Sequence, residues 1–164
     1  MTGAFSGGCQ CGAVRYRAMA RPASPHLCFC RMCQKALGNY FAALASVSNG
    51  DLVLTRGEPS WFNSSDLVRR GFCSRCGTPL FYQEVGGSHV ALLLGTLDDP
   101  TAVPPEWQSD IYAKPGWFAG LDTLPESAGD GTPVDETGRY AAIANTNHQH
   151  PDHDTETWPP RNSR

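Results

Sequence analysis

The chain has 164 residues, 40% of them apolar, with a formal net charge of −3 and a pI near 5.9. This length suits one domain with a core that needs no disulfides, and the charge excludes a broad basic surface for nucleic acid or an anionic membrane. No stretch approaches about 18 consecutive apolar residues, and Met1 to Gln10 lacks the basic start and apolar run of a signal peptide. The expected location is the cytoplasm and the expected partner a small molecule or another protein.

In chain order, Ala13 to Arg17 alternates apolar and basic residues, which predicts a strand with one wet face. Two prolines in Arg21 to Pro25 predict an extended loop. Cys33 to Leu37 is expected to form one helical turn, stopped by Gly38-Asn39. Tyr40 to Val47 and Leu52 to Thr55 read as strands, and Asn49-Gly50-Asp51 between them predicts a hairpin. Thr78 to Glu84 reads as another strand, and the continuous apolar run Val90 to Leu94 as a buried central one. Ser109 to Phe118 is the last ordered piece. Short strands separated by turn residues define an all-β fold over residues 1–125. Residues 126–164 read as a mostly flexible polar tail, because Val134, Tyr140, Ile143 and Trp158 cannot offset the entropy of ordering it. Docking of Tyr140 to Ala144 on the domain is the alternative.

Seven cysteines stand out: Cys9, Cys11, Cys28, Cys30, Cys33, Cys73 and Cys76. Cytosolic thiols stay reduced, an odd number cannot pair fully, and Cys9-Gln10-Cys11 is too short to bridge itself. Bound zinc accounts for them better. Closed structural sites take four protein ligands, whereas catalytic zinc keeps three and an open position. Cys11 is followed by Gly12 and Cys76 by Gly77, and a glycine there lets the backbone turn its amides toward sulfur, as in a zinc knuckle. This favours Cys9, Cys11, Cys73 and Cys76 as one set and Cys28, Cys30 and Cys33 as another. A ribbon site joining Cys30 and Cys33 to Cys73 and Cys76 is the competing arrangement, since spacing does not fix partnerships.

The ordered phrases Gly8-Cys9-Gln10-Cys11-Gly12, Cys28-Phe29-Cys30-Arg31-Met32-Cys33, Phe72-Cys73-Ser74-Arg75-Cys76-Gly77-Thr78-Pro79-Leu80 and Gly95-Thr96-Leu97-Asp98-Asp99-Pro100 resemble the glutathione-dependent formaldehyde-activating enzyme family, or CENP-V/GFA domain. The resemblance covers about residues 5–120. It implies a β-tent of small antiparallel sheets built around a structural zinc on Cys9, Cys11, Cys73 and Cys76, with a catalytic zinc on Cys28, Cys30 and Cys33. The implied activity is that of a carbon-sulfur lyase, joining glutathione to formaldehyde as S-(hydroxymethyl)glutathione. Two positions depart from the family pattern: Phe29 stands where the central motif commonly has His, and Asp110 where a His often precedes the last strand.

Three thiolates leave zinc with a formal charge of −1 and make it a poor activator of water, but a fourth, substrate thiol would still bind as a nucleophilic thiolate. Glutathione carries two carboxylates, so Arg31, Lys35, Arg69 and Arg70 are candidate substrate-binding residues. His26 is expected to serve packing or a hydrogen bond, or else to act as a ligand or proton shuttle. His148, His150 and His153 read as part of the polar tail. Trp61, Trp117 and Phe118 read as core or as pocket wall. Other readings of the central triad are a second folding metal and a redox centre. A non-catalytic, zinc-stabilised binding module is the alternative function.

Overall fold

A computed structural model describes residues 5–125 and 138–159. The parts of the expected tail at 126–137, with Val134, and at 160–164 lie outside the described residues. The chain divides into two compact units, Met1–Lys114 with Gln149–Arg164, and Pro115–His148. The second unit holds a 3-10 segment, Gly116–Thr123, in which Trp117 and Phe118 have ring centroids 5.7 Å apart, and helix α2, Arg139–Asn145. Among the described residues no helix is long and apolar enough to cross a membrane.

The first unit is built of strands, as expected. Strands β1 (Phe5–Gly8), β2 (Arg15–Ala18), β3 (Ala23–Cys28), β4 (Ala42–Ser48) and β5 (Leu52–Arg56) precede β6 (Ser60–Asn63), β7 (Val68–Phe72), β8 (Pro79–Glu84), β9 (His89–Leu93) and β10 (Trp107–Ser109). They form a three-stranded sheet, β1-β2-β5, and a seven-stranded sheet, β10-β3-β4-β9-β8-β7-β6. All pairs are antiparallel except β10 with β3, where Ser109 lies opposite Cys28. The short helix α1 (Arg31–Leu37) leaves β3 and ends as its sequence predicts: Gly38 adopts φ 59°, and its N–H donates to the Gln34 carbonyl.

Strand β9 occupies the centre of the large sheet and is buried on both faces, which is why its sequence is continuously apolar. Its period of two divides the core. Val90, Leu92 and Leu94 join Ala45, Val47, Tyr16 and Leu80 on one face, whereas Ala91 and Leu93 join Ala42, Leu44, Cys28 and Cys33 on the other. One face therefore packs the body of the unit, and the other supports the central thiols.

Three expectations are corrected. The predicted β4–β5 hairpin does not form. Asn49–Asp51 is a 3-10 turn that sends β5 to the other sheet. Long-range bonds select that course: Asn49 donates from its backbone to Ser88 O (2.9 Å) and from its side chain to Gly87 O (2.9 Å), and Met19 N–H donates to Asp51 O (2.8 Å). The loop predicted at Arg21 to Pro25 is shorter, since β3 starts at Ala23 with a register shift at Ser24, whose φ is 51°. The wet face predicted for β2 is closed at Arg15, which is buried.

What closes it is a C-terminal segment running from Gln149 to Pro159 in the same unit. Asp154 accepts from Arg15 (2.8 Å) and Arg17 (2.6 Å). His150 N–H donates to Gln10 O (2.7 Å), and Trp158 Nε1–H donates to Cys11 O (2.7 Å). Arg56 reaches Thr155 Oγ1 (3.0 Å) and His150 Nε2 (3.3 Å). Nδ1 of His150 faces Pro151 O at 2.6 Å, so the neutral ring donates there and accepts at Nε2. Burial, with Arg15 and Arg56 nearby, keeps its pKa below the ordinary histidine value. His150 is thus a buried residue of the first unit, not a solvated tail residue.

This strap rests on Gly12, where φ is 70° and a Cβ would overlap the rings of His150 and Trp158. Gly12→Ala is accordingly expected to cost about 2 kcal/mol through left-handed strain and displacement of the strap. Thermal unfolding should show a Tm lower by roughly 4–8 °C. An unchanged Tm would contradict this packing.

Candidate metal centres and their cleft

The first thiol cluster joins the turn after β1 to the turn between β7 and β8. Cys9, Cys11, Cys73 and Cys76 place their Sγ atoms within 4.8 Å of one another. The Cys9–Cys11 and Cys11–Cys73 sulfur separations are 3.7 and 3.9 Å. A tetrahedron with Zn–S bonds of 2.3 Å has edges of about 3.8 Å. Gly12 and Gly77 both have positive φ, 70° and 77°, as the knuckle reading requires, and the Gly77 amide bonds Cys73 O (2.8 Å). Val14 N–H points at Cys9 Sγ (3.2 Å).

Burial pushes the Cys9 thiol up to about 12. For Cys76 burial acts in the same direction but is outweighed by hydrogen bonds from Thr78 and Cys11, so this thiol falls to about 6. Four neighbouring thiolates in a partly buried site need a cation among them. All seven cysteines are free thiols. The donor set and its spacing fit a tetrahedral, thiophilic metal.

The second cluster follows directly from the motif Cys28-x-Cys30-x2-Cys33. Cys28 ends β3, Cys30 caps α1, and Cys33 lies in its first turn, where its N–H donates to Cys30 Sγ (3.3 Å). Their three Sγ atoms also lie within 4.8 Å of one another. The ribbon arrangement linking Cys30 and Cys33 to Cys73 and Cys76 is not formed. Burial pushes Cys28 up to about 12, and it raises Cys33 against the opposing influence of Arg70. The cluster faces a cleft of about 680 Å³ lined also by His26, Arg70, Tyr82 and Asp110.

Two charged side chains touch these thiols. Arg70 Nη2 lies 3.5 Å from Cys33 Sγ, while its Nε donates to Ser64 Oγ (3.1 Å) and its guanidinium covers the Tyr82 ring at 5.1 Å. The Cys28 thiol meets Asp110 Oδ2 at 3.4 Å. Asp110 arrives here because β10 runs parallel to β3 and ends beside Cys28. Its left-handed φ of 53° turns the chain at that point.

The other candidates separate clearly. Arg31 and Lys35 line a second cleft of about 510 Å³, which shares Met32 and Arg70 with the first. Arg69 does not join them. It lies one residue from Arg70 on β7 and so projects from the opposite face, donating to Gln83 Oε1 (2.6 and 2.9 Å) and covering Trp61 at 4.2 Å. Phe29 is also absent from the cleft lining, being fully buried with its ring centroid 5.9 Å from that of Phe41. His26 lines the cleft but stacks on Trp107 (4.3 Å), with Nδ1 on Ser24 O (2.9 Å). The tail histidines form no metal-holding group among the described residues. Tyr82 was not anticipated. Its signal was the pairing of β7 with β8, which sets it opposite Arg70.

Two sheets carrying a four-thiol and a three-thiol cluster define a small β protein with two cysteine clusters that could each hold a metal ion. The family profile described as "Glutathione-dependent formaldehyde-activating enzyme" matches residues 4–114, and the chain belongs to that family. The crystal structure of a Rhodobacter sphaeroides protein is similar in fold, with a TM-score of 0.51 and 21% identity over 63% of this chain and 99% of that one. The strap at Gln149–Pro159 lies beyond the span the family profile matches.

Proposed function

We propose that the protein is a cytoplasmic, zinc-dependent enzyme of the carbon-sulfur lyase type. It would form or cleave the S-hydroxymethyl-type adduct of glutathione, or a similar thiol, with formaldehyde or another small carbonyl compound. In this reading Cys9, Cys11, Cys73 and Cys76 hold a structural zinc, and Cys28, Cys30 and Cys33 hold a catalytic one. The observation that carries it is a cluster of only three thiols lining an open cleft, beside a second cluster complete with four. Membership of a family named for this chemistry supports the choice of substrates.

Zinc on three thiolates supplies a position that accepts a substrate sulfur and keeps it nucleophilic. The chain's residues supply the setting. Arg70 holds a buried positive charge against the thiol cluster, where a zinc complex of three thiolates would be anionic. Arg31 and Lys35 bring positive charge to the adjoining cleft for substrate carboxylates. In the forward direction the thiol sulfur forms a bond to the carbonyl carbon, the C=O π pair moves to oxygen, and the thiol proton is balanced by protonation of that oxygen. The reverse reaction releases thiol and aldehyde.

NMR exchange between free aldehyde and thiol adduct tests this reading. The two-zinc protein is expected to accelerate exchange, and Cys30→Ala to abolish the acceleration while reducing bound zinc from two to one per chain. Unaccelerated exchange across a thiol and aldehyde panel would leave a metal-stabilised binding module instead.

A further inference from the structure

The second cleft carries information about the thiol. Helix α1 lines it with Arg31, Met32, Lys35 and Ala36, and β6, β7 and β8 contribute Phe62, Phe72 and Phe81. Phe62 and Met32 remain 63% and 48% exposed, so the groove presents apolar surface to solvent. Among the described residues no Asp or Glu lines the groove. Neither Arg31 nor Lys35 takes part in an ion pair among the described residues. Among the described residues the Arg31 side chain donates only to the neutral Gln34 Oε1 (3.1 Å). Arg70 is committed elsewhere, since its guanidinium already faces Cys33, Ser64 and Tyr82.

The groove therefore combines an apolar floor with two uncompensated cations, and it adjoins the thiol cluster through the shared residues Met32 and Arg70. Glutathione matches this poorly. Its ammonium would meet Arg31 and Lys35 with no described acid in the groove to pair it, and for its two peptide groups Ser64 is the one neutral polar side chain among the described lining residues. A thiol with an apolar body ending in a carboxylate matches both features.

Resting on the reaction proposed above, we infer that the groove binds the body of the substrate thiol and selects an apolar carboxylic-acid thiol over glutathione. The carboxylate meets Arg31 and Lys35, the body lies against Met32, Phe62 and Phe72, and the sulfur reaches Cys28, Cys30 and Cys33.

Calorimetric titration of the zinc-loaded full chain with 6-mercaptohexanoate, hexanoate and glutathione tests this. The mercapto acid is expected to bind at least tenfold more tightly than glutathione. Hexanoate, which has no thiol, should bind more weakly and should bind equally to Cys30→Ala. Phe62→Asp and Lys35→Glu change exposed side chains, with folding checked by circular dichroism, and each should weaken binding of both acids at least fivefold. Glutathione binding as tightly as the mercapto acid would overturn the inference, as would hexanoate binding that neither substitution alters. The two proposals fail separately: hexanoate binding lost in Lys35→Glu, with no thiol accelerating aldehyde exchange, would uphold the groove's ligand class and reject the reaction.

Discussion

Cys73→Ser is expected to unfold the protein at ambient temperature, whereas Cys30→Ala should leave a cooperative fold. Cys73 is buried within the larger core cluster, among Tyr16, Leu80 and Leu92. Its site also ties the two sheets together, since Cys9 and Cys11 follow β1 of the small sheet and Cys73 and Cys76 connect β7 to β8 of the large one. Elsewhere β1 is linked to the region after β9 by the Gly7–Leu97 bridge and by Asp98 N–H on Ser6 O (3.0 Å). A structural zinc contributes an apparent 10–16 kcal/mol to folding, about as much as a whole domain's net stability of 5–15 kcal/mol. Losing one of four ligands therefore removes the margin. The triad packs against the smaller cluster of Ala42, Leu44, Ala91 and Leu93, which the sheet itself supports. Circular dichroism with metal analysis distinguishes the cases. A Cys73→Ser variant that melts within about 5 °C of the parent and retains two metals would refute the structural assignment.

The cysteine grouping was legible because the relevant signals are local. Gly12 and Gly77 disclose the knuckle turns through their positive φ, and the Cys28-x-Cys30-x2-Cys33 spacing converts directly into strand end, helix cap and first turn. The core face of β9 was legible for the same reason. Arg15 was misread because alternation identifies which side chains share a face, not what later covers that face. Its partners Asp98 and Asp154 stand 83 and 139 residues away in sequence. The β4–β5 turn failed similarly, since Asn49-Gly50-Asp51 signals a reversal while bonds from Asn49 to Gly87 and Ser88 decide where the chain goes. Arg69 and Arg70 were indistinguishable without the register of β7, which turns one toward the thiols and the other toward Gln83.

Asp98→Ala is expected to destabilise the fold by about 3–5 kcal/mol, because it breaks a buried two-bond pair and leaves the Arg15 cation with only the more exposed Asp154. Arg15 grips Asp98 with Nη1 on Oδ1 (2.7 Å) and Nη2 on Oδ2 (2.6 Å), and Ser6 Oγ donates to the same carboxylate (2.6 Å). Arg15 Nε has no partner, so the guanidinium depends on its two terminal nitrogens. Asp154 is more exposed than Asp98, 34% against 12% by side chain, and cannot replace it. Asp154→Ala should consequently cost only about 1 kcal/mol. Burial pushes the Asp98 pKa up, but the bonds from Arg15 and Ser6 outweigh it and hold the carboxyl below the usual range. A folded-state pKa below the unfolded value of about 3.9 means that the contribution is complete above that value and is lost as pH falls through the folded one. The Tm difference between parent and Asp98→Ala should thus be full at pH 7, roughly 10 °C, and shrink below about pH 4. Acid would also protonate the thiolates that the proposed metals need, but both proteins share those clusters, so the difference isolates the carboxylate. A gap that stays constant down to pH 3 would show that Asp98 contributes through packing and neutral hydrogen bonds, not through its charge on Arg15.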